Sequence, residues 1–124
     1  MTQLLAIAVG GAIGAVLRYG MASGISHWLG RGFPYGTLSV NVLGSLLMGV
    51  LYVLLIDRMQ LSPEWRAALL IGLLGAFTTF STFSIETLNL IEQGALLKAG
   101  LNIVLSVVLC VGATWLGVLA GRQL

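Results

Sequence analysis

The chain has 124 residues, 58% hydrophobic and 8% charged, with six Lys/Arg against four Asp/Glu and a formal net charge of +2. An ordinary soluble domain is about 25% charged, so this composition cannot cover a water-facing surface and reads as an integral membrane protein. The cations are too few for nucleic-acid binding, and a single cysteine (Cys110) and a single histidine (His27) exclude an intrachain disulfide and a Cys or His cluster for metal.

A membrane span needs about 20 residues, and apolar segments fall at about 4–25, 37–56, 65–90 and 96–119. The reading is one transmembrane domain over residues 1–124. Met1, Thr2 and Gln3 lack the cationic start of a signal peptide, so the first segment is expected to be a retained span. Gly10/Gly14 and Gly20/Gly24 are small-xxx-small pairs suited to close helix approach. Arg18 interrupts this span; it either snorkels to headgroups or lines a wet, anion-attracting vestibule. The glycines and Pro34 of residues 27–36 break helix, with Trp28, Phe33 and Tyr35 as an interfacial belt.

The second span carries Thr37, Asn41 and Ser45 on one helix face. A carboxamide in hydrocarbon must be hydrogen-bonded, so Asn41 is either interhelical glue or a donor on a pathway. Residues 57–62 read as a polar loop, and Ser62-Pro63-Glu64 as a capped helix start. In the third span, Gly72 to Ser84 replace Leu and Ile with glycines, hydroxyls and aromatics. Phe77, Phe80 and Phe83 recur every three residues, as a packing stripe or as positive ring edges offered to an anion. Glu86 follows. In the fourth span Asn102, Ser106, Cys110 and Thr114 form a stripe spaced by four, a polar track unless each hydroxyl bonds its own helix.

With four spans, Arg58, Arg66 and Arg122 lie on one side of the membrane and Arg31 and Lys98 on the other. So even a distribution barely orients the chain, and two copies of opposite orientation would pair about an in-plane two-fold axis. No nucleotide motif or nucleophile–base pair is present, so the chain does not read as an enzyme.

Gly72-x-x-Gly75-x-Phe77-Thr78-Thr79-Phe80-Ser81-Thr82-Phe83-Ser84 resembles the signature of the Fluc (CrcB) fluoride channel family. Gly10-Gly11-x-x-Gly14-Ala15-x-x-Arg18-Tyr19 and Gly36-Thr37-Leu38-x-Val40-Asn41-x-x-Gly44-Ser45 are similar to its first- and second-span motifs. The resemblance implies an all-α membrane protein of four transmembrane helices, the third broken mid-membrane, assembled as an antiparallel dual-topology homodimer. It implies passive fluoride export through two pores in the bacterial inner membrane, with fluoride, a second copy and the bilayer as partners. By the same resemblance the pathway comprises Thr37, Asn41, Phe80, Ser81, Thr82, Phe83, Ser106, Cys110 and Thr114, with Arg18 and Glu86 at vestibules. It also implies a structural sodium ion held at the dimer centre by the main-chain carbonyls of Gly75 and Thr78. The alternative is a proton-coupled small-anion transporter using Glu86.

Overall fold

The computed structural model describes residues 1–58 and 61–124, and every regular element among them is helical. Helix α1 covers Thr2–Leu29 and α2 covers Tyr35–Arg58. Helix α3 covers residues 63–77, α4 covers Phe80–Glu92 and α5 covers Leu96–Gln123. Among the described residues, four stretches are long and apolar enough to cross a membrane: Thr2–Leu29, Tyr35–Arg58, Pro63–Glu92 (α3 and α4 together) and Leu96–Gln123. The chain is a multi-pass membrane protein. At 1.5 Å per residue, helices such as α1 and α5 are about 42 Å long and exceed a hydrocarbon core of about 30 Å.

The ends of these helices follow local chemistry. Ser62 caps α3, its Oγ accepting the Trp65 N–H at 3.4 Å, with Pro63 at the first helical position and Glu64 in the first turn. Gly30 ends α1 at φ 92° and Gly94 turns the chain into α5 at φ 79°, a region that glycine enters without a Cβ penalty. Of the loop expected at 57–62, Asp57 and Arg58 belong instead to the end of α2, while Met59 and Gln60 lie outside the described residues. Both helices flanking this connection widen to i→i+5 turns, over Val53–Arg58 and Ala67–Leu74.

The packing pairs α1 with α3 and α2 with α5. Glycine makes both contacts possible. A Cβ on Gly10 would collide with the Ala68 carbonyl oxygen, and one on Gly14 with that of Leu73. Between α2 and α5 the arrangement is reciprocal: a Cβ on Gly49 would meet the Thr114 carbonyl, and one on Gly117 that of Leu46. Backbones this close gain dispersion contacts along their length, the main attraction available between helices in lipid. Gly20 and Gly24, the other expected pair, have nothing of this chain near their Cβ positions.

The enclosed residues include apolar ones such as Val53, Leu55, Leu74 and Phe77, but polar groups are enclosed with them while many large apolar side chains are exposed. Asn102 and Val40 are almost wholly enclosed, Thr37 and Thr87 are buried, and leucines and valines of α1 and α5 point outward. Lipid solvates those apolar side chains, whereas a polar group facing it would lack a hydrogen bond.

Candidate functional site

The site forms where the third span stops being helical. Thr78 (φ −89°, ψ 157°) and Thr79 (φ −151°, ψ 119°) are extended, separating α3 from α4. In an uninterrupted helix the Thr79 N–H would bond the Gly75 carbonyl and the Phe80 N–H that of Ala76. Here the Thr79 N–H donates to Asn41 Oδ1 at 2.7 Å, and Asn41 Nδ2 donates back to the Thr79 carbonyl at 3.0 Å. One carboxamide thus replaces both hydrogen bonds of one residue's backbone. Arg18 Nε donates to the Ala76 carbonyl at 2.9 Å. Thr79 then caps α4: its Oγ1 accepts the Thr82 N–H at 3.2 Å and donates to Thr82 Oγ1 at 3.0 Å. The hydroxyl-rich sequence therefore supplies partners for backbone groups that the interruption releases. Gly44 of α2 gives it room, because a Cβ there would collide with Thr78 Cγ2.

A cavity of about 370 Å³ lies beside the interruption. Asn41 from α2, Phe80 and Phe83 from α4, and Ser106, Cys110 and Thr114 from α5 share its wall. The Phe80 and Phe83 rings are 5.3 Å apart, tilted by 41°. Phe80 is 79% exposed, so the cavity is open on that side of the chain. The family model described as "CrcB-like protein, Camphor Resistance (CrcB)" matches residues 5–118.

The chain belongs to the CrcB family.

Among its relatives, a protein of Magnetococcus marinus named "Fluoride-specific ion channel FluC" is 52% identical over 97% of this chain and 98% of its own length. One of the same name from Geobacter sulfurreducens is 51% identical over all of both chains. Another, from Methylococcus capsulatus, is 59% identical over 98% of this chain. The chain spans about half the length of that relative, 54%.

The remaining expected residues of this CrcB chain are placed as follows. Thr37 is buried and lines neither this cavity nor the second one described below. Thr82 is half-buried and bonded to Thr79, and Ser81 is exposed with its Oγ 3.5 Å from Thr79 Oγ1. Glu86 lines the second cavity, with Arg31 and Lys98. Gly75 is exposed, and Thr78 donates its hydroxyl to the Leu74 carbonyl at 3.1 Å. The three phenylalanines do not form one stripe. Phe77 is buried at the end of α3, while Phe80 and Phe83 belong to α4, because two extended residues reset the helical register between them.

Two members of the α5 stripe, Asn102 and Thr114, bond across helices. Asn102 Nδ2 donates to Thr87 Oγ1 at 2.9 Å, and Thr87 donates to the Phe83 carbonyl at 2.7 Å. Ser106 Oγ reaches Asn102 Oδ1 at 3.4 Å, and Thr114 Oγ1 donates to the Ser45 carbonyl at 3.1 Å. Thr79 is the residue that sequence reasoning missed as a site member. Among several neighbouring Ser and Thr residues, nothing in the sequence alone distinguishes the one whose main chain bonds Asn41.

Proposed function

We propose that this chain is a fluoride-selective channel that lets cytoplasmic fluoride leave passively through the bacterial inner membrane. The observation that carries the reading is the cavity where Asn41, the Phe80 and Phe83 rings and the α5 stripe meet; near-full-length relatives bearing the channel name support it. Those names leave the coupled-carrier reading through Glu86 without support.

A fluoride ion entering a low-dielectric site needs donors in place of water. Asn41 uses one Nδ2 hydrogen on Thr79, and the second is available to an anion. Thr82 Oγ1 accepts from Thr79, which leaves its own hydrogen free to donate. Ser106 makes only a long contact with Asn102 and can turn toward an ion. Phe80 and Phe83 add positive ring edges with no charge to bind the ion too firmly. The Arg18 guanidinium, fixed by its Nε bond to Ala76, places a positive charge near the interruption. Favourable but neutral contacts suit conduction, which requires exit as much as entry.

An antiparallel homodimer with two pores belongs to the same proposal. The cavity lacks a wall at Phe80, Gly20 and Gly24 leave an unfilled close-approach surface, and the cations fall nearly evenly on the two sides. The interruption at Thr78 and Thr79 would then lie mid-membrane. Gly75 and Thr78 suit the sodium ion expected there: the Thr79 N–H goes to Asn41 and the Thr82 N–H to Thr79 Oγ1, so both carbonyls lose their helical donors. Bound there, sodium would supply a fixed positive charge. The test is fluoride efflux from reconstituted liposomes, read by a fluoride electrode with chloride as control. Fluoride efflux without chloride efflux is expected, and Phe80→Ile should cut it at least ~10-fold by removing a ring edge. No fluoride efflux from the wild type would sink the proposal.

A further inference from the structure

A second cavity, of about 300 Å³, lies at the end of the bundle that carries the α1–α2 and α4–α5 connections. Its charged groups come from three elements: Arg31 from the α1–α2 connection, Glu86 from α4 and Lys98 from the first turn of α5. Ser26, Asn89 and Gln93 add neutral polar groups to the wall. The Lys98 ammonium reaches the connection itself, with Nζ 3.6 Å from where a Cβ of Gly32 would stand, next to Arg31 in sequence. Two cations thus line one cleft, and like charges sharing a cleft favour an anion between them. The one carboxylate does not screen them fully. Glu86 Oε1 is enclosed and has no hydrogen-bond partner among the described residues, so that oxygen is hydrogen-bonded to neither cation. Two cations against one carboxylate leave the site net positive.

This cavity follows the first along α4 and α5. Lys98 lies four residues before Asn102 and eight before Ser106, so it is the outer member of the same α5 stripe. Glu86 lies three residues beyond Phe83, about 4.5 Å along α4. The Asn102–Thr87 hydrogen bond spans α4 and α5 between the two cavities.

We propose that the Arg31–Lys98 cavity is a small-anion binding site at the mouth of the pathway, which concentrates halide before it reaches Asn41 and the phenylalanines. This rests on the channel reading above. Like-signed clefts raise the encounter rate of oppositely charged ions by about 10- to 1,000-fold, an effect that salt screens. The experiment is fluoride efflux from liposomes carrying wild type or the Arg31→Gln/Lys98→Gln double variant, at ionic strengths of ~0.01 M and ~1 M, where the screening length falls from about 30 to about 3 Å. The double variant should lose on the order of 10-fold in flux at low ionic strength and approach wild type at high ionic strength. Arg31→Lys/Lys98→Arg, which keeps both charges, should recover the flux at both. Equal flux from the double variant and wild type at low ionic strength overturns the proposal, and so does a loss of the same size at every ionic strength, which marks a structural defect. The measurement is repeated in phosphatidylcholine vesicles with and without phosphatidylglycerol. A loss seen only with the anionic lipid assigns the two cations to lipid headgroups and overturns the proposal as well. Absence of fluoride flux in the wild type is a different outcome, because it sinks the channel reading itself.

Discussion

Asn41 is where sequence chemistry and site geometry meet most directly. Its amide accepts from one backbone group of Thr79 and donates to the other, a task that only a carboxamide performs with a donor and an acceptor on one rigid plane. Asn41→Asp keeps the acceptor, loses the donor and puts a negative charge on the cavity wall. A unit charge about 5 Å from a passing anion costs roughly 3 kcal/mol at an effective dielectric of ~20. Fluoride efflux from Asn41→Asp liposomes should therefore fall by about two orders of magnitude, with the protein still eluting as wild type in gel filtration. Undiminished efflux would remove Asn41 from the pathway. The sequence already marked Asn41 as a carboxamide in hydrocarbon needing a partner. It did not reveal that the partner is a main-chain peptide thirty-eight residues away, because that contact depends on how α2 docks against the interruption.

At the scale of the elements, two kinds of glycine separate cleanly. Gly14 faces the Leu73 carbonyl across α1 and α3, whereas nothing lies within 4 Å of a Cβ on Gly100 in α5. A backbone carbonyl cannot swing aside as a long side chain can. Gly14→Ala should lower the thermal midpoint in detergent, with an overpacking cost of about 1–3 kcal/mol. Gly100→Ala should raise it slightly, since alanine exceeds glycine by about 1 kcal/mol in a helix interior. Equal midpoints for the two variants would show that the α1–α3 contact is not close. The Gly10/Gly14 spacing made this contact legible beforehand, but the Gly20/Gly24 spacing is identical and finds no partner in the chain. Spacing identifies a surface that permits close approach, and the fold decides what approaches. The phenylalanines make the same point. Periodicity put Phe77, Phe80 and Phe83 along one side of a helix, and two extended threonines place them in different surroundings.

For the whole molecule, the proposed assembly predicts an outcome in intact cells. With Cys110 replaced by Ser and one cysteine introduced at Gln123 at the end of α5, a membrane-impermeant thiol reagent should label about half of the protein from outside. The remainder should label only after permeabilisation, as an almost unbiased distribution of Lys/Arg allows. Labelling from one side alone would exclude a dual-topology dimer. Composition determined that the chain is a membrane protein, because charge this scarce leaves no other solvent for its surface, and the length and placing of its apolar segments determined four spans. The ordered motifs in the first three spans determined the family. Tertiary structure decided which polar residues work together: Asn41 with Thr79, Arg18 with Ala76, Asn102 with Thr87, and Arg31 with Lys98 and Glu86 in a second cavity. The physical reason is that a backbone group freed within a membrane must find its partner on another helix, and the sequence states the need without stating the neighbour.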